Sequence, residues 1–212
     1  GATLAEMFGL AVARGNVGDE IGEHVRCAAL ANRPAPRSGR DVTAGGSFII
    51  EGDIMPGLGY GLTVNGSSGE ITGLTTSNTG SMVGPMVDFG DVQYTNDNTS
   101  IPLTDKGTEP FKKSGWNLDM QGGENLILAG GTYYFDSIKL AGGSTITIVG
   151  PTTIYVAGTV DATGGTIVNT LQDPHDLTIL SSGAEFKLAG GASFYASLVA
   201  PKAVVTLGSG AV

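Results

Sequence analysis

The chain has 212 residues, 35 of them glycine, a charged fraction of only 15% and a formal net charge of -9 with a pI near 4.5. That balance excludes a nucleic-acid binder and a ligand of anionic membranes, because a phosphate surface demands a basic stripe and none exists. No run reaches 18 apolar residues, so no segment reads as a transmembrane helix, and a single cysteine, Cys27, rules out an internal disulfide framework.

The first 40 residues differ in kind from the rest. Leu4, Met7, Phe8, Ala11 and Val12 fall at i, i+3, i+4, i+7 and i+8, one stripe of an amphipathic helix closed by Gly15-Asn16. Asp19 can cap a second helix, in which Ile21, Val25, Ala28 and Ala29 repeat the stripe and Cys27 is a small buried hydrophobe. Residues 32–40, with two prolines and three arginines, form a linker. The expected organisation is therefore 1–40 as helices and linker, followed by a β domain over 41–212.

From Asp41 the pattern turns to short strands, as in residues 47–54, 61–65 and 70–74. Between about 78 and 115 alternation fades into a turn-rich excursion containing Thr95-Asn-Asp-Asn-Thr-Ser100. Thereafter one phrase recurs: Asn125-Leu-Ile-Leu-Ala-Gly-Gly131, Ile138-Lys-Leu-Ala-Gly-Gly143, Val160-Asp-Ala-Thr-Gly-Gly165 and Phe186-Lys-Leu-Ala-Gly-Gly191. Period-2 apolarity punctuated by glycine pairs, with no helical pattern between, predicts a mainly β fold, a parallel β-helix of stacked coils. One coil cannot bury its own apolar face, whereas a stack forms a continuous core. The last strand, Ala203-Val-Val-Thr-Leu207, has no polar cap after it, so Val204, Val205 and Leu207 are expected to form an open edge inviting another chain. Leu4, Phe8 and Val12 are the matching candidates for an assembly interface at the other terminus.

Chemistry-bearing residues are sparse. His24 reads as a helix-surface or packing residue, and His175, in Asp173-Pro-His-Asp176, as part of a turn rather than a zinc site. No local motif supports Ser/His/Asp nucleophilic catalysis. Asp88, Asp91 and Asp97, with Asp105, Asn96 and Asn98 nearby, offer the hard oxygens that calcium takes; their spacing fits no EF-hand, and a solvated loop is the plainer reading. Asp119, Asp136 and Asp161 stand one per coil, without a basic partner at a constant offset, so a glycosidase-like carboxylate pair is not indicated. Thr147, Thr153, Thr178 and Thr206 lie in alternating strands and would make an outward threonine row if their registers aligned; plain β propensity also explains them.

Two resemblances arise from these segments. Gly131-Thr-Tyr-Tyr-Phe-Asp-Ser-Ile-Lys-Leu140, Gly150-Pro-Thr-Thr-Ile-Tyr-Val-Ala-Gly158, Asp173-Pro-His-Asp-Leu-Thr-Ile179 and Ala192-Ser-Phe-Tyr-Ala-Ser-Leu-Val-Ala-Pro-Lys202 resemble the β-solenoid domain attached to PilX-type pilus-assembly proteins and other bacterial surface proteins. Gly1-Ala-Thr-Leu-Ala-Glu6 is similar to a prepilin cleavage site, although Arg14 interrupts the apolar run that a pilin stem would carry. More loosely, Gly130-Gly-Thr-Tyr-Tyr-Phe135 and Ser197-Leu-Val-Ala-Pro-Lys202 resemble the bacterial ice-binding β-helix. The first resemblance implies an extracellular or cell-surface filament subunit. It would be non-enzymatic and without a required cofactor, assembling head to tail with copies of itself and with other surface or pilus proteins. The second implies a monomeric module that binds ice or a carbohydrate surface.

Overall fold

A computed structural model describes residues 25–30, 41–50, 54–55, 61–71, 87–188 and 194–208. Four short strands come first: β1 (Val25–Leu30), β2 (Val42–Ile50), β3 (Ile54–Met55) and β4 (Leu62–Ile71). The excursion ends in β5 (Phe111–Lys112). Three complete coils follow. They are β6 (Asn117–Met120), β7 (Asn125–Leu128) and β8 (Gly131–Phe135); β9 (Ser137–Leu140), β10 (Thr145–Ile148) and β11 (Thr152–Val156); and β12 (Val160–Ala162), β13 (Thr166–Asn169) and β14 (Leu177–Ser181). β15 (Glu185–Leu188), β16 (Phe194–Val199) and β17 (Val204–Leu207) continue the winding.

Every pairing between coils is parallel, which gives a solenoid with three faces. The first face runs β6, β9, β12, β15, β17, β2 and β4. The second is β7, β10 and β13, and the third is β8, β11, β14, β16 and β1. The predicted β-helix is thus the observed fold. Within it, alternate residues point inward and form stacked columns, because coil-to-coil register repeats from β6 through β17 to the start of β2; the β2–β4 pairing shifts register between Gly45 and Ser47. Leu118, Ile138, Val160, Phe186, Val205 and Val42 make one such column, each at most 2% exposed.

The glycine pairs are the corners. Gly122-Gly123, Gly142-Gly143 and Gly164-Gly165 turn the chain from the first face to the second, and Gly143 holds φ +74. Successive corners touch backbone to backbone: Gly143 N donates to Gly164 O at 2.6 Å, and a Cβ on Gly164 would lie 2.8 Å from Gly142 N. Glycine is required at Gly143 by the left-handed φ and at Gly164 by the close backbone approach.

The N-terminal expectation requires correction. Val25–Leu30, assigned to a second amphipathic helix, is a strand paired in parallel with Phe194–Val199. The spacing of Val25, Ala28 and Ala29 suits a helix locally, but a six-residue register with β16 supplies backbone partners that a helix there would forgo. No helix longer than a 3-10 turn, Asn98–Ser100, occurs among the described residues. The proposed first helix, with Leu4, Phe8 and Val12, lies outside them, as do His24 and residues 31–40.

The C-terminal strand is not an open edge either. Val205, Thr206 and Leu207 pair with Val42, Thr43 and Ala44, so the N-terminal strands continue the stack directly beyond β17. Val205 and Leu207 are 1% and 4% exposed, in the core, and Val204 faces outward opposite Glu185. Adjacency in the solenoid is here decoupled from order in sequence, which no reading of the last strand alone can anticipate.

Candidate functional surface

Alternation leaves three outward surfaces, and they differ in chemistry. On the first face the outward column reads Asp119, Lys139, Asp161, Lys187, Thr206, Thr43, Thr63 from one strand to the next. The carboxylates expected to lack basic partners are therefore interleaved with lysines in register at Asp119 and Asp161. The Asp161 carboxyl is held below its ordinary range, first by the Thr163 hydroxyl, which donates at 2.7 Å, and further by Lys187 and Lys139. Charge therefore alternates in sign along this column, and Lys187 Nζ also lies 3.1 Å from Glu185 Oε2 on its own strand. Asp136 stands apart, accepting from the Tyr134 hydroxyl at 2.8 Å; burial first, then this carboxylate, pushes the Tyr134 phenol up to about 12.

Among the described residues, the second face carries no ionisable group at any outward strand position. Asn125, Thr145 and Thr166 form one column, and Ile127, Thr147 and Val168 the next. Thr166 Oγ1 donates to Thr145 Oγ1 at 3.3 Å. Ile127, Val149 and Leu171 are among the exposed large hydrophobic side chains, at 56%, 45% and 44%. The result is a pleated plane of methyl and hydroxyl groups on a chain of net charge -9.

The third face has Thr132, Thr153, Thr178 and Ser197 in one outward column. Beside it, Tyr134 and Tyr155 are partly roofed by Phe89, with ring centroids 5.8 Å from each. The four threonines singled out from sequence consequently do not share a row. Thr153 and Thr178 are register neighbours on the third face, Thr147 is on the second, and Thr206 is on the first between Lys187 and Thr43. Thr132, Thr145 and Thr166, which the sequence reading passed over, complete the hydroxyl columns that are present; their period-2 placement in adjacent coils was the signal available.

Of the aspartates considered for calcium, Asp88 and Asp97 accept backbone N–H groups through their carboxylates, and Asp91 does so through its main-chain carbonyl. Asp88 Oδ1 accepts from Gly90 N at 2.9 Å, the Asp91 carbonyl accepts from Tyr94 N and Thr95 N, and Asp97 Oδ2 accepts from Thr132 N at 2.8 Å. No cluster of three His, Cys, Asp or Glu side chains suited to a metal occurs among the described residues. His175 Nδ1 lies 2.8 Å from Asp173 Oδ1 in an exposed turn, and the Asp173 carboxyl is lowered chiefly by the His175 backbone N–H. Among the described residues no helix is long and apolar enough to cross a membrane.

Comparison with known protein families, curated proteins and solved structures finds no match for this chain.

Proposed function

We propose that this chain is a structural subunit of an extracellular or cell-surface assembly, non-enzymatic, that associates with copies of itself side to side through its second face. The observation that carries this reading is the absence of charge at every outward strand position of β7, β10 and β13, combined with the exposed Ile127 and Val149. On a chain of net charge -9, two copies that meet through these outward strand positions bring methyl and hydroxyl groups together without burying a charge from β7, β10 or β13. The resemblance of residues from about 115 onward to the solenoid of PilX-type surface proteins supports that setting, with other pilus or surface proteins as partners. The contact differs from the head-to-tail one expected from sequence, since Val205 and Leu207 are core residues.

Light scattering across a concentration series, with negative-stain microscopy, tests it. The parent chain should form multimers, and Ile127→Lys with Val149→Lys should remain monomeric and folded. A parent chain that stays monomeric throughout overturns the reading. A second reading, a module binding ice or a carbohydrate surface, is favoured by the same plane, in which Thr145, Thr147 and Thr166 present hydroxyls at regular strand spacing. It expects a monomer with thermal hysteresis or polysaccharide retention that Thr147→Tyr abolishes.

A further inference from the structure

The first coil is the end of the stack away from the N-terminal strands, and its outer edge is occupied by side chains acting as a strand. On β8, the outward-bonding residues are Thr132 and Tyr134. Asp97 N donates to Thr132 O at 2.8 Å, and Thr132 N donates to Asp97 Oδ2 at 2.8 Å. Asn98 Nδ2 donates to Tyr134 O, and Tyr134 N donates to Asn98 Oδ1 at 3.0 Å. The Asn98 primary amide thus offers Tyr134 one donor and one acceptor, as the peptide unit of a neighbouring parallel strand would. It is 2% exposed. On β7, Asp105 N donates to Asn125 O at 2.9 Å, and Asn125 N donates to Asp105 Oδ1 at 2.7 Å. On β6, β5 pairs antiparallel through Phe111 and Lys112.

We infer that residues 95–105 are a plug that denies this edge to a strand from a second copy of the chain. An unprotected parallel edge with uncharged outward residues is a template for strand addition, and the plug occupies the edge backbone groups of Thr132, Tyr134 and Asn125 without offering an extended edge of its own. The segment is seated by structure rather than laid loosely over the end: Asn96 Nδ2 donates to Val92 O and Gln93 O, and Phe89 packs edge-on to Tyr134. The second copy is the committed occupant because a coil of the same chain matches the edge in strand length, spacing and inward column. The inference stands independently of side-to-side association, which uses a different surface.

The test removes the plug's polar contacts in the full chain with Asp97→Ala and Asn98→Ala together. Light scattering should then report dimers or larger species absent from the parent protein under the same conditions. Adding Thr132→Pro, which deletes the edge N–H and no bond between coils, should return the mass to that of the parent. Ile127→Lys should leave the new species intact. A double variant that keeps its β circular dichroism and its parental mass overturns the inference, as does association that Thr132→Pro does not reverse. Should the double variant not fold, Asn98→Asp, nearly isosteric but lacking the donor to Tyr134 O, decides in the same assay: new association supports the plug, and parental mass overturns it.

Discussion

Asn169 donates from Nδ2 to the Tyr195 carbonyl at 3.0 Å, tying the third coil to the fourth from inside the stack. The same nitrogen donates to Asp173 O at 2.8 Å, and Oδ1 accepts from Leu171 N at 3.1 Å. Asn169 occupies the inward position that Leu128 and Ile148 hold in the preceding coils, and it is 1% exposed. A fully satisfied amide here anchors the longer 170–176 turn without breaking the column.

Replacing Asn169 with Ala removes its hydrogen bonds to the Asp173 and Tyr195 carbonyls and opens a small void. The expected loss is about 1–3 kcal/mol, read as a shift in the chemical denaturation midpoint. Asn169→Leu restores the apolar column but not the hydrogen bonds, so it should remain less stable than the parent chain. Parental stability for Asn169→Leu would show that the amide anchors nothing.

Val205 and Val204 provide an adjacent pair with opposite outcomes. Val205 lies between Phe186 and Val42 in the core column, so Val205→Asp buries an unpaired charge and should cost at least about 4 kcal/mol, enough to unfold most of the population. Val204→Lys faces out beside Glu185 and should change stability by less than about 1 kcal/mol. Thermal unfolding followed by circular dichroism separates the two.

The Asp161–Lys ladder predicts an acid limb of stability. Because the folded-state Asp161 carboxyl is lowered, its contribution is present above the unfolded value of about 4 and is lost as pH falls through the folded value. Asp105 and Asp173, lowered by the Asn125 and His175 backbone N–H groups respectively, add in the same direction. Stability should therefore fall on acidification below about pH 4, and Asp161→Asn should make that decline shallower. An unchanged slope in the variant would remove Asp161 from the linkage.

Much of the solenoid was legible because a strand on a three-faced stack is specified by alternation and its corners by glycine. Leu118, Ile138, Val160 and Phe186 announce an inward column through period 2 alone. The glycine phrases, though similar in text, mark different corners: Gly142-Gly143 joins the first face to the second, whereas Gly130-Gly131 joins the second to the third. Both require positive φ, at +74 for Gly143 and +116 for Gly130, so composition could not distinguish them. The helical reading of Val25–Leu30 failed because six residues, mostly small or apolar around Arg26, fit either period, and the partner that decides is Phe194–Val199.

What the sequence determined by itself is the coil: strand period, glycine corners and the burden on each coil to find a neighbour. Which neighbour it finds was decided only in three dimensions. Val42–Ala44 lies on β17 across most of the chain's length, and Asp97, Asn98 and Asp105 cap the edges of β7 and β8 from 20 to 36 residues away. The register that interleaves Asp119, Lys139, Asp161 and Lys187 on one face, and leaves another without charge, is equally a property of the stack. Local pattern specifies which side of a strand is buried; long-range hydrogen bonding specifies beside which strand, and that information resides in contacts no short stretch of sequence contains.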